Sequence, residues 1–269
     1  MRNLLGRRSV ALAVACAVGG VALGGCAQDG ESAPPRPPES ALTTSGAQGA
    51  TAAPDRDRPV VDAATLRNNV AYELEPASSL SALVQVSDLL VTGTVAGWQK
   101  GRTIGPSGMR LFNATLVVDV DGPKTADGAT ANGAFPDGKA YVEVFLGTQS
   151  LDENGKPSEA DDDPLLTRLR LDDVTAAAPA GARVILALVP ARTTEQLAAQ
   201  GEEILDAGDP LPDGAVLYMA QSQGFLLENA DGSYDSGIAD LSYFAADWPT
   251  PVTDPHGFAT LLAQLDSRG

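Results

Sequence analysis

The chain has 269 residues, 43% hydrophobic and only 5% aromatic, with 18 Lys plus Arg against 35 Asp plus Glu and a net charge of −17. That acidic excess repels nucleic acid and anionic lipid headgroups and argues against both as partners. The shortage of aromatic rings argues against a sugar-binding cleft, and the length suits one domain with decorations.

Met1 to Arg8 carries Arg2, Arg7 and Arg8 and no acid, and Val10 to Leu23 is nearly all Ala, Val, Leu and Gly. A basic start followed by a short apolar run is the layout of a secretory signal. The uncharged stretch 9–27 is also long enough for a transmembrane reading, which its many glycines and alanines weaken. Leu23-Gly24-Gly25-Cys26 resembles the lipobox of bacterial lipoproteins, an aliphatic residue and two small residues before Cys. The resemblance implies cleavage after Gly25 and a diacylglycerol on the Cys26 thiol. It also implies a membrane anchor through that lipid on the extracytoplasmic face. Arg7-Arg8 leaves a twin-arginine export route open beside the general secretory one.

The chain has two cysteines, Cys16 and Cys26. Cys16 would leave with the signal peptide, so a disulfide is not expected and the domain must stand on core packing. Loss of residues 1–25 removes three arginines and no acid, leaving 15 bases against 35 acids and a charge of −20. Arginine is far more frequent than lysine and alanine is abundant, which with the lipobox suggests a GC-rich, actinobacterial source.

Residues 26–59 form the lipidated Cys and a Pro/Ala/Ser-rich tether in which Leu42 is almost the sole large apolar residue. Such a segment cannot bury enough surface to offset its ordering entropy. As a coil of about 33 residues it would span roughly 30 Å. Residues 60–269 are expected to form a single β-rich domain.

Within that domain Ser78–Ser87 places Leu80, Leu83 and Val84 at helical spacing behind capping serines. Leu89, Val91 and Val95 then share one face of a strand, and Gly93 between them marks a bulge or barrel bend. From Leu111 to Asp121, Phe112, Ala114, Leu116, Val118 and Val120 alternate with polar residues, a half-buried antiparallel strand. Ala140–Leu146 is another strand, and Arg183–Val189 reads as a strand covered on both sides. Thr193–Gly201 opens on Thr-x-x-Gln and ends in glycine, a capped short helix. Ala215–Ala220 and Gly224–Glu228 flank Gln221-Ser222-Gln223 and suggest a hairpin. Asp231-Gly232 signals a turn, and 238–244 reads as a last strand. Asp254-Pro255 opens a terminal helix with Phe258, Leu261, Leu262 and Leu265 on one face, expected to pack across the sheet.

Six or so short strands with few helices predict a mainly β, α+β fold: a small antiparallel, OB-like, partly closed barrel with a C-terminal amphipathic helix. SDLLVTGTVAGW, NATLVVDVDGPKT and PAGARVILALV resemble the first, second and later central strands of OB-like and netrin-like secreted domains. The cysteines of netrin-like domains are absent, so the resemblance implies fold alone and no functional residue.

His256 is the chain's one histidine, placed at the start of the terminal helix, where it reads as a surface residue and not as a triad base. Without more His or Cys ligands zinc is not expected, and no nucleophile elbow or phosphate loop occurs. The acid pairs Asp119/Asp121, Asp172/Asp173 and Glu202/Glu203 would need to face each other across a cleft to cleave glycosides. The loop 152–163 is the best candidate for a hard cation, through Asp152, Glu153, Asp161, Asp162 and Asp163, although its spacing is not that of an EF-hand. No cofactor and no enzyme activity are expected. The reading is a lipid-anchored envelope protein that binds another envelope protein, with a small-ligand or metal-binding lipoprotein serving a transporter as the alternative.

Overall fold

The computed structural model describes residues 58–67, 77, 79–105, 108–125, 133–158, 168–238 and 257–266. In chain order the elements are α1 (Ala63–Arg67), α2 (Leu80–Gln85), β1 (Leu89–Gly105), β2 (Met109–Thr125), β3 (Lys139–Ser150) and α3 (Leu171–Ala177). They continue with β4 (Arg183–Pro190), α4 (Thr194–Ala199), β5 (Glu203–Asp206), β6 (Leu217–Glu228), β7 (Tyr234–Ser236) and α5 (Gly257–Asp266).

Five strands close on themselves in the order β1-β2-β3-β6-β4-β1. Every pairing in the ring is antiparallel except β3 with β6, which is parallel over Tyr141–Glu143 and Leu217–Met219. This is the OB-like barrel expected from the pattern, with α3 between β3 and β4. Full closure and the one parallel pair go beyond the antiparallel, partly closed expectation. The parallel pair arises because β6 reaches β3 after a long crossover and not through a hairpin. β5 adds to the tip of β1 and β7 to the end of β6.

The alternation along β2 turns Ala114, Leu116 and Val118 inward, where they meet Val91, Val142, Leu186, Leu188, Phe225 and Leu227. These side chains are fully buried and fill the barrel. Each of the large ones contributes about 1.5–3 kcal/mol by leaving water. Gly93 sits at a register shift between β1 and β2, and a Cβ there would stand 2.3 Å from the Asp119 carbonyl oxygen. Only glycine lets the two backbones approach so closely, so the bend read from the sequence is present.

A second apolar layer lies outside β1, β4 and β6. Leu83 and Val84 of α2 and Leu261 and Leu265 of α5 pack with Leu90, Ile185, Ala187, Leu226 and Tyr234. β4 is therefore covered on both sides, as its unbroken apolar run predicts. Ser79 caps α2 by accepting the Ala82 N–H at 3.2 Å. Thr193 and Gln196 form the expected capping box of α4.

The hairpin expected over 215–228 is not formed. Leu217–Glu228 is one strand, and both its halves pair antiparallel with β4 across a bulge between Leu186 and Leu188. The polar triplet is not a turn because Gln223 is buried and bonds the backbone of Ala77 in both directions. Its Oε1 accepts the Ala77 N–H at 2.6 Å and its Nε2 donates to the Ala77 carbonyl at 3.1 Å. Gly224 permits the bulge, since a Cβ there would lie 2.5 Å from Cβ of Ala187.

The Asp231-Gly232 turn joins β6 to β7, with Gly232 at φ +82° and its N–H on the Asn229 carbonyl at 2.9 Å. The strand expected over 238–244 lies outside the described residues after Ile238, as do His256, Asp254 and Pro255. No helix among the described residues is long and apolar enough to cross a membrane.

Candidate functional site

OB barrels bind ligands on the outer face of their second and third strands, flanked by the loop joining strands one and two and the loop joining the last two. Here that face carries Gln99, Thr115 and Glu143 in register across β1, β2 and β3. Glu143 takes both arms of the Arg102 guanidinium, Nε to Oε1 at 2.8 Å and Nη2 to Oε2 at 2.7 Å. Arg102 also donates from Nη1 to the Arg192 carbonyl at 2.8 Å, and Asn113 Nδ2 donates to the Arg102 carbonyl at 3.0 Å. The two charged side chains are only 12% and 8% exposed, and Thr115 is 3% exposed. The face is therefore filled by the protein's own bidentate ion pair and covered where the β4–β6 connection starts.

That connection then runs along the β1–β2 hairpin and is fastened to it. Asp209 accepts the Lys100 N–H at 2.9 Å and donates its own N–H to the Lys100 carbonyl at 2.8 Å. Gly208, at φ +75°, lies so close that a Cβ would stand 2.6 Å from the Gly101 carbonyl. Lys100 pairs with Asp206, and β5 joins β1 over Thr103–Gly105. Leu205 lies over the tip, its Cδ1 2.8 Å from where a Gly105 Cβ would be.

The result is a ridge at the hairpin tip in which β5, β1 and β2 pair side by side. Leu205 is 45% exposed and Met109 37%. Glu203 and Asp206 are exposed beside them. The hydrogen bonds from Lys100 and the Gly208 amide hold the Asp206 carboxyl below its ordinary value, so the ridge keeps that charge. Apolar tips rimmed by carboxylates suit a partner surface with apolar and basic side chains.

A second surface lies around residues 58 and 59. Glu228, buried at the end of β6, receives Arg58 on Oε1 and Arg183 on Oε2, the latter at 3.1 Å. Pro59 packs near Gly181, and Asp62 donates its N–H to the Ala177 carbonyl at 2.7 Å. Arg58, Pro59, Thr94, Gly181, Arg183 and Glu228 line an open cleft of about 490 Å³. The contacts fix residues 58 and 59 on the barrel wall beside β4.

The acid pairs singled out in the sequence do not face one another across a cleft. Asp119 pairs with Lys139, and Asp173 accepts the Arg170 N–H at 2.7 Å to start α3. Glu202 pairs with Arg192 at 3.0 Å. In the acidic loop, Asp152 Oδ1 accepts the N–H groups of Asn154 and Lys156, each at 2.8 Å, which holds its carboxyl below the ordinary value. Asp152 Oδ1 thus holds its own turn and Glu153 is exposed, while Asp161, Asp162 and Asp163 lie outside the described residues. Among the described residues no three His, Cys, Asp or Glu side chains gather as a metal site would need. Leu23, Gly24, Gly25 and Cys26 also lie outside the described residues.

The Arg102–Glu143 pair and the ridge were missed by sequence reasoning. Residues 102 and 143 come together only through strand register, and β5 is a four-residue strand with no periodic signal. No protein-family model matches the chain, and neither does any curated protein or solved structure.

Proposed function

We propose that this chain is a lipid-anchored protein of the extracytoplasmic membrane face, held by diacylglycerol on Cys26 and a Pro-rich tether. Its OB-like barrel acts as a non-enzymatic interaction module for another envelope protein. The observation that carries the interaction is the ridge, in which β5 fastens the β4–β6 connection to the β1–β2 tip and leaves Leu205 exposed between the carboxylates of Glu203 and Asp206. A rigid projection of this kind loses little entropy on docking. The outer β1–β3 face favours a protein partner over an oligonucleotide, because it is occupied by Arg102 and Glu143 and the chain is acidic.

The test is membrane fractionation combined with in-cell crosslinking of the tagged full chain. The reading expects wild-type protein in the membrane fraction with one reproducible crosslinked partner. It expects Cys26→Ala in the soluble fraction, and Leu205→Asp anchored but without the partner. A Cys26→Ala chain that stays in the membrane overturns the anchor, and a Leu205→Asp chain that keeps its partner overturns the ridge.

A further inference from the structure

The described arginines divide into two groups. Arg58, Arg67, Arg102, Arg183 and Arg192 each meet a carboxylate within 3.1 Å or less. Arg110, Arg168 and Arg170 form no ion pair among the described residues, in a chain with 35 acids for 18 bases.

Arg168 and Arg170 are held near one another. The Arg168 guanidinium lies over the Phe112 ring, 3.6 Å from its centroid. Stacking of this kind fixes the plane of the fork and leaves its N–H edges open. Burial lowers the Arg168 pKa, in keeping with a guanidinium partly withdrawn from water. Arg110 is two residues from Phe112 on the same face of β2, about 7 Å along the strand. Its Nε is buried and has no acceptor among the described residues. Arg168 and Arg170 line one open cleft of about 440 Å³ with Leu171 and Asp172.

We infer that Arg168, stacked on Phe112, and Arg170 beside it in the same cleft form an oxyanion-binding site for a carboxylate or phosphate group. The guanidinium forks match the two oxygens of either anion. Asp172 on the rim and the net charge of −17 disfavour an extended polyanion, so the ligand is a compact anion or a single anionic group on a larger molecule. The site is separate from the ridge and does not depend on it.

The test is isothermal titration calorimetry on the lipidated full chain in a non-ionic detergent at low salt, with inorganic phosphate and with acetate as separate probes. Saturable binding of at least one probe is expected, and the tighter of the two names the anion class. Arg168→Gln and Arg170→Gln should each weaken it about tenfold or more. Arg168→Lys should also weaken it several-fold, because an ammonium keeps the charge without the stacked fork. Unchanged thermal midpoints show that the variants are folded, and should any variant unfold, Arg168→Lys alone decides. Failure of the wild-type chain to bind either probe overturns the inference, as does equal binding by wild type and the folded variants.

Discussion

Replacing Glu143 with leucine would leave the Arg102 guanidinium, 12% exposed, with only the Arg192 carbonyl as a partner among the bonds it now makes. The leucine would fill the volume on β3, so the cost would come almost wholly from an uncompensated charge beneath the β4–β6 connection. Breaking one partner of a buried pair costs about 3–5 kcal/mol. For a domain of this size each kcal/mol lowers the thermal midpoint by roughly 2–4 °C, so Glu143→Leu should lose on the order of 10 °C. Adding Arg102→Met removes the stranded charge, and the double variant should return to within about 1 kcal/mol of wild type. Chemical denaturation of the four corners of this cycle measures the coupling. A Glu143→Leu variant within about 1 kcal/mol of wild type would refute the claim that the pair is buried and mutually dependent.

Gln223→Leu should destabilise the domain by about 2 kcal/mol, since it strips the Ala77 N–H and carbonyl of their partners; urea unfolding reads the loss, and a neutral result would mean water replaces them. Gly93→Ala should cost about 1–3 kcal/mol or more, because its methyl would strike the Asp119 carbonyl, and full thermal stability would contradict the close strand approach. Burial, and then the hydrogen bond to Asp137, push the Tyr141 phenol up to about 12. The folded state therefore holds its proton more tightly than the unfolded chain, whose phenol titrates near 10. The stabilisation is whole below pH 10 and falls as the pH rises from 10 through 12. Tyr141→Phe should lack that part of the alkaline loss in denaturation midpoints, and identical pH profiles would refute it.

Strand β2 was legible because one face is apolar and the other polar, so its period shows in sequence and its inward residues are those of the core. β4 was legible for the opposite reason, since helices cover its outer side and Val184 to Val189 is apolar throughout. The Ser79 cap, the Thr193–Gln196 capping box and the Asp231-Gly232 turn are local chemistry and survive without tertiary context. The 215–228 segment was misread because a polar triplet with glycine looks the same as a turn until Ala77 supplies partners to Gln223. α3 carries no Ser, Thr or Asn before it; Asp173 reaches back to the Arg170 N–H instead, and the helix went unnoticed. The ridge depends on strand register, which joins residues such as 103 and 206 that no local pattern links.

The most direct test of the central claim is site-specific photocrosslinking in living cells, with the full chain expressed in an actinobacterial host. One photoreactive residue replaces Leu205 on the ridge, and a control replaces Ala180, exposed in the turn before β4. The account predicts one reproducible envelope-protein adduct from position 205 and none of that identity from position 180. The same adduct from both positions, or from 180 alone, would contradict the ridge as the interaction surface.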